Sequence, residues 1–225
     1  MNFQTNSGDT DTYADRVSRQ VAGLESLHKM AGILLSERVP EAGNVLVLGA
    51  GGGLELRAFI AQSANWGFVG VDPSTEMLMQ AQNTLGSDAN RVTFIEGYIE
   101  AAPKGPYDGA TCLLTLHFLS RKERLRAVRE VFRRLRPGAP FIVAQHSFPQ
   151  NDGKPDLWLQ RYGAYLGRSG FDAQKVNANI KTMKSRLPVL SPDDDVKVLE
   201  EAGFRDIQLF YTAFTFRGWV AYKPA

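Results

Sequence analysis

The stretch VLVLGAGGGLE, Val45 to Glu55, constrains this chain more than any other. Four apolar residues, Val45 to Leu48, give way to Gly49, Ala50, Gly51, Gly52 and Gly53, and then to the helix-compatible run LELRAFIAQ. An apolar run that breaks into glycines and then takes up helical spacing predicts a buried parallel strand, a tight turn and the first turn of a helix. Residues without a Cβ let backbone N–H groups come within hydrogen-bonding reach of a ligand, and the helix that follows offers its free N–H groups and positive dipole end. Glycine turns of this kind also serve packing alone, so the next strand decides. GFVGVD, residues 67–72, ends in Asp72, about 20 residues past the loop, where an acidic side chain reaches the two hydroxyls of a ribose. Glycine turn and Asp72 together predict a ligand built on a nucleoside.

A dinucleotide fingerprint G-x-G-x-x-G counted from Gly49 and Gly51 requires a third glycine at 54, where Leu54 stands. The glycines cluster instead at 49, 51, 52 and 53, a shorter turn suited to a ligand with no pyrophosphate, which argues against an oxidoreductase. On these residues the chain resembles the class I S-adenosylmethionine-dependent methyltransferases, whose first motif runs as an acidic residue, any residue, then G-x-G-x-G. The resemblance continues through Asp72-Pro73-Ser74, FIEGYIEAAP at 94–103, YDGATCLLTLHFL at 107–119, LRPGAPFIVAQH at 135–146 and AGF at 202–204, and covers nearly all of residues 12–223.

The resemblance implies a Rossmann-like, doubly wound α/β fold: a seven-stranded sheet, mostly parallel, with an antiparallel C-terminal hairpin and helices on both faces. It implies S-adenosyl-L-methionine as cofactor, S-adenosyl-L-homocysteine as product, and methyl transfer to an oxygen, nitrogen or carbon atom of a small-molecule acceptor. Gly49, Ala50, Gly51 and Gly53 then cradle the methionine end, and Asp72 with Pro73 holds the ribose. Gly97, Tyr98 and Ile99 flank the adenine, and Leu114 and Thr115 close the methyl side; Met77, one turn into the following helix, suits the adenine face or the core equally well. Two positions depart from the family pattern. Tyr98 stands where an acidic residue usually follows the glycine of the third strand, and Val47 stands where an acid usually precedes Gly49 by two. With Val47 there, the loop's hydrogen bonding must be arranged otherwise, and Glu55 is the acid at hand.

The pattern along the chain agrees with a parallel sheet. Strands are expected at 45–48, 67–71, 92–96, 109–114 and 140–145, and helices at 54–63, 74–84 and 121–136. Such alternation implies right-handed crossovers and a ligand at the carboxyl ends of the strands, where each motif named above falls. His117 and His146 follow the fourth and fifth strands and are the candidates for catalysis, as a base or as positioning groups. A sulfonium is already a strong methyl donor, so alignment does most of the work and positioning is the favoured role. A helix opened by Ser191 and stopped at Gly203, then strands at 207–214 and 216–223, complete the expected order.

Outside this frame, residues 1–11 are polar and expected to be a flexible N-terminus, with residues 12–225 forming one methyltransferase domain. Residues 12–40 read as a helical cover, with Tyr13, Arg16 and His28 as candidate substrate contacts. Residues 147–190 interrupt the alternation and read as a lid-like insertion. Its Trp158, Tyr162 and Tyr165, with Arg161, Arg168, Lys181, Lys184 and Arg186, suit an aromatic or anionic substrate; a plain cap or a homodimer contact explains them as readily. The segment 121–136 carries eight basic and two acidic residues. Its apolar Leu125, Val128, Phe132 and Leu135 face the core and its arginines face solvent, a solvated surface in preference to a nucleic-acid one.

Composition sets the outer limits. With 225 residues, 44% of them apolar, the chain suits one compact unit, and a formal net charge of +2 demands no anionic partner. No long apolar run is present, so a cytoplasmic protein with no membrane contact is expected. The single cysteine, Cys112, excludes an internal disulfide and reads as a buried thiol; no metal centre is expected.

Two rival readings remain open. LTLHFLSRKER, the HSF at 146–148, FYTAFTFRGWVAYK and YADRV are similar to the bacterial enzymes that use carboxy-S-adenosylmethionine to carboxymethylate a wobble uridine of tRNA. That resemblance implies tRNA as a partner, with Lys181 or Arg186 holding the extra carboxylate. The losses at Val47 and Tyr98 also fit a regulator that binds S-adenosylmethionine without catalysis.

Overall fold

The computed structural model describes residues 12–151 and 153–225, so the stretch 1–11 expected to be flexible lies outside the described residues. Seven strands form one sheet: β1 (Asn44–Leu48), β2 (Gly67–Asp72), β3 (Val92–Glu96), β4 (Gly109–Leu113), β5 (Pro140–His146), β6 (Arg205–Ala213) and β7 (Phe216–Tyr222). Their order is β3-β2-β1-β4-β5-β7-β6. The first five are parallel, and β7 runs antiparallel to both β5 and β6. This is the doubly wound, mostly parallel sheet with an antiparallel C-terminal hairpin that the sequence predicts.

Side-chain alternation divides the interior. Val45 and Val47 of β1 join a cluster with Leu27, Leu35 and Phe59 on one face, while Leu46 and Leu48 join Val128, Val131 and Leu199 on the other. The helices that supply these clusters are α2 (Leu24–Ser36) and α3 (Leu54–Gln62) on the first face, and α5 (Arg121–Arg134) and α8 (Pro192–Ala202) on the second. The chain runs outward from β1 through β2 to β3, then returns to lay β4 against the other side of β1. The crevice at the carboxyl ends of β1 and β4 is therefore the topological switch point at which open α/β sheets bind ligands.

The N-terminal helical pattern is broken in two, α1 (Tyr13–Gln20) and α2, because Gly23 takes a left-handed backbone at φ 72°. The insertion contributes α6 (Lys154–Arg168) and α7 (Ala173–Arg186). The sequence gives α6 a helical pattern but reads the α7 segment only as polar and basic; its N-cap, Asp172, accepts from Gln174 N–H at 2.8 Å. Between them, α4 (Thr75–Leu85) starts behind Ser74, whose hydroxyl accepts from Met77 N–H at 3.3 Å.

One expectation fails on α5. Arg124 is 0% exposed, not solvated, and Arg134 is buried as well. Arg124 forms an ion pair with Asp195 of α8 and donates to the Pro188 carbonyl at 3.2 Å. Arg134 bonds to Glu130 at 2.6 Å and to the Ala102 carbonyl at 3.3 Å. The helical spacing of α5 cannot announce these partners, because Asp195 and Pro188 arrive from some 65 to 70 residues later. Arg121 and Arg126 do stay at the surface, facing Glu201 and Glu100.

A buried ion pair is broken at high cost when one member is removed, since the other charge is left in the core. Asp195→Ala is expected to destabilise the fold by about 3–5 kcal/mol, read as a lowered urea midpoint. Replacing both members by apolar residues, Arg124→Met with Asp195→Leu, is expected to recover most of that loss.

Candidate functional site

The glycine turn is tied to the end of β2. Gly49 and Ala50 N–H both donate to the Val71 carbonyl, at 2.8 and 3.1 Å. Gly51 N–H donates to one oxygen of Asp72 at 3.0 Å, and Ser74 N–H donates to the other at 2.9 Å. Asp72 thus fixes the loop and the start of α4 together, and each of its oxygens keeps a further lone pair for a ligand. Close approach explains the glycines. Gly49 has φ +79°, and a Cβ there would lie 2.1 Å from Thr115 Oγ1; a Cβ on Gly52 would lie 2.4 Å from the Tyr13 ring.

Across the crevice, β4 ends in strain. Leu114 is a non-glycine residue with φ 59°, and its N–H donates to the Ala144 carbonyl at 2.6 Å. Backbone of this kind costs of order 1–3 kcal/mol and persists where the surroundings enforce it, frequently beside ligands. The short helical turn Leu116–Phe118 follows and aims His117 back over β5. His146 N–H donates to His117 Nδ1 at 3.4 Å, and His146 Nδ1 pairs with Thr215 Oγ1 at 3.0 Å. His146 also stacks on Phe216 with ring centres 4.0 Å apart, and Tyr162 of α6 stands edge-on to it at 5.4 Å.

These groups share one cavity of about 830 Å³. Of the cofactor residues expected from sequence, Gly49, Ala50, Gly51, Gly53, Asp72, Pro73, Met77, Leu114 and Thr115 line it. So do His117 and His146, and the expected substrate contacts Tyr13, Arg16, His28 and Tyr162. Gly97, Tyr98 and Ile99 are not brought to its wall. Tyr98 is 66% exposed, and the Ile99 side chain is buried in the core cluster of α5 and α8. Phe216, Met183, Leu187, Asn179 and Thr182 also line the cavity and carry no sequence signal of function. Phe216 reaches the cavity because β7 pairs with β5 and sets it opposite His146 in register.

Burial governs the charges. It pulls His146 down to about 3 and His117 well below its ordinary value, so both rings are neutral near pH 7. His28 falls to about 4, through burial and then the nearby Arg57. Glu55, 7% exposed on the first turn of α3, is pushed up to about 8 by burial, against the pull of a 3.1 Å hydrogen bond from Thr111. Cys112 is buried and its thiol is raised far above the usual range, so it stays protonated. Among the described residues no group of three or more His, Cys, Asp or Glu is placed to hold a metal ion, and no helix is long and apolar enough to cross a membrane.

Residues 45–138 match the family of the methyltransferase domain. This stretch thus carries the methyltransferase-domain pattern, and the fold is similar to that of the class I S-adenosylmethionine-dependent methyltransferases, enzymes whose cofactor is S-adenosylmethionine. Among curated proteins, the chain is similar to the carboxy-S-adenosyl-L-methionine synthase of Staphylococcus epidermidis, at 24% identity over 94% of this chain and 92% of that one. The synthase of the same name from Desulfotalea psychrophila is 21% identical over 99% of this chain and 92% of that one. Among solved structures, human N-acetylserotonin methyltransferase in complex with S-adenosylmethionine shares the fold, with TM-score 0.65 and 16% identity, over 94% of this chain and 55% of that one. The carbon methyltransferase CurJ does too, with TM-score 0.68 and 15% identity, over 94% of this chain and 58% of that one. The cavity fits such a cofactor: the loop leaves no room for a Cβ at Gly49, Asp72 sits at its edge, and a buried carboxylate, Glu55, faces the space.

Two outcomes are expected. Gly52→Ala places a methyl group in the Tyr13 ring without backbone strain, so α1 should lift from the loop; faster tryptic cleavage at Arg16 and Arg19 would register it. The second concerns acid stability. His28 and His146 gain protons only on unfolding between their ordinary 6.5 and their folded values of about 4 and about 3, so stability present above pH 6.5 is lost as pH falls. Glu55 works oppositely, holding its proton in the fold between its ordinary 4.5 and about 8. His28→Gln should therefore flatten the fall in stability between pH 6 and 4.5 by about 1.4 kcal/mol per pH unit, measured by urea unfolding across that range.

Proposed function

We propose that this protein moves the sulfonium methyl of S-adenosylmethionine to an oxygen, nitrogen or carbon of a small, flat, largely apolar acceptor. The observation that carries the reading is that His117, His146, Tyr162 and Phe216 form one ring cluster, and that these with His28 and Met183 line the same cavity as the glycine turn. The cofactor supplies an electrophilic methyl group when bound. The chain's part is alignment: Gly49 to Gly53 and Asp72 hold the donor, Leu114 and Thr115 confine the methyl side, and the aromatic wall holds the acceptor plane. In this reading α1, α6 and α7 are the cover and the lid.

The histidines serve that alignment. His117 Nδ1 accepts a hydrogen bond, so its proton sits on Nε2 as a donor for an acceptor oxygen. His146, held near 3 and tied to Thr215, is too weak a base to draw a proton at neutral pH and instead braces Phe216 and His117.

A second reading follows from the relatives named as carboxy-S-adenosyl-L-methionine synthases, which match over nearly their full length. A carboxylated ligand needs a cation in the cavity, and Arg16 is the Lys or Arg among the described residues that lines it. Lys181 and Arg186, the carboxylate holders expected from the tRNA-modifying resemblance, are exposed and do not line it. The relatives' name also favours a maker of that compound over a user of it.

Mass spectrometry of the small molecule that co-purifies, followed by transfer from methyl-labelled S-adenosylmethionine to a panel of aromatic acceptors, separates the readings. Labelled acceptor with S-adenosylhomocysteine as by-product is the expected result. Carboxy-S-adenosylmethionine in the extract supports the second reading instead, label in tRNA supports a nucleic-acid acceptor, and bound cofactor with no turnover supports a regulator.

A further inference from the structure

Three acids line the cavity: Glu55, Asp72 and Glu76. Asp72 is engaged by the N–H groups of Gly51 and Ser74, and Glu76 is exposed at the start of α4. Glu55 differs from both. It is buried, its Oε1 accepts from the neutral hydroxyl of Thr111 on β4, and its Oε2 has no hydrogen-bond partner among the described residues. The titratable groups that face it are Asp72 at the end of β2, Tyr13 on α1 and Cys112 on β4. All three are acids, and among the described residues no cation forms an ion pair with Glu55. A carboxylate in such a place lacks the counter-charge that burial demands, and it faces a ligand space.

The cofactor brings a counter-charge of suitable size: an amino-acid tail whose ammonium offers three N–H donors. We propose that the Glu55 carboxylate receives the α-ammonium of bound S-adenosylmethionine. This rests on the cofactor assignment and adds to it the residue that reads the amino-acid end. Strand β1 carries no acid of its own there: Val47 is wholly buried in the apolar cluster beneath α3, so the first turn of α3 supplies the charge instead.

A proton balance follows. Burial pushes Glu55 up to about 8, so in the free protein at pH 7 it is mainly protonated. Pairing with an ammonium requires the anion; the carboxyl proton passes to solvent as the complex forms. Binding should release close to one proton per ligand at pH 7, and affinity should tighten about tenfold per pH unit between pH 6 and 7.

S-adenosylhomocysteine tests this without the sulfonium, since it keeps the ammonium but carries no charge on sulfur. 5′-Methylthioadenosine keeps the nucleoside and thioether and lacks the amino-acid tail. Calorimetric titration of both ligands, in two buffers of different ionisation enthalpy, is expected to show proton release for S-adenosylhomocysteine and none for methylthioadenosine. Glu55→Gln should weaken S-adenosylhomocysteine by about 10- to 100-fold, abolish the proton release and its pH dependence, and leave methylthioadenosine unchanged. Equal weakening of both ligands would assign Glu55 to the fold alone and overturn the proposal. So would tight S-adenosylhomocysteine binding by the unaltered protein with no proton exchanged, and that result would leave the cofactor assignment standing. Failure of the unaltered protein to bind either ligand would overturn both.

Discussion

The hydrogen bonds that join the glycine turn to the end of β2 are the constraint on which this site depends. Val71 accepts two N–H groups from the turn, and Asp72 takes one from Gly51 and one from Ser74. Those four bonds align the ends of two neighbouring strands and the starts of two helices, α3 and α4. The close approach of Gly53 to Ala81, where an added Cβ would lie 2.9 Å from the Ala81 Cα, follows from the same tie. Sequence places β1 and β2 side by side only through the sheet; the loop bonds convert that adjacency into a ligand-shaped edge.

Charge inside the cavity is set by dryness more than by pairing. Two of its histidines are held neutral chiefly by burial, His28 by burial with Arg57 beside it, and Glu55 is held protonated by the same cause. The unliganded interior thus carries little net charge although it contains four titratable side chains of the kinds that ionise near neutrality. At Asp72 it is instead the backbone N–H groups of Gly51 and Ser74 that engage the side chain. A charged or dipolar ligand meets groups whose protonation it can change, not groups already committed.

Local grammar explains which parts were legible in the sequence. The apolar strands, the glycine turn and the caps at Ser74 and Ser191 are short-range signals, and the fold follows them closely. Glycines at 49, 51 and 53 and Asp72 reached the cavity because their chemistry depends on neighbours within a few residues or one strand away. Arg124 and Arg134 went the other way: their helix reads as solvated because its partners, Asp195 and the Ala102 carbonyl, are remote in sequence. The far side of the cavity was only half visible for the same reason. Tyr162 and the histidines stand out by residue type, whereas Met183, Leu187 and Phe216 look like any core residue until α7 and β7 are placed. Gly97 to Ile99, chosen by motif position, lie off the cavity wall, with Tyr98 turned to solvent.

Strand β7 sits between β5 and β6, so a strand synthesised after both of them completes the middle of that half of the sheet. The glycine turn and the strand ends from β1 to Thr115 are synthesised before residue 116. His146, by contrast, waits for Thr215 and Phe216, some seventy residues later, to receive its hydrogen bond and its stacking ring. A nascent chain can therefore form the glycine-turn edge of the cavity well before it gains the ring and hydroxyl that hold His146, and the two halves of the cavity come into being at different stages of synthesis.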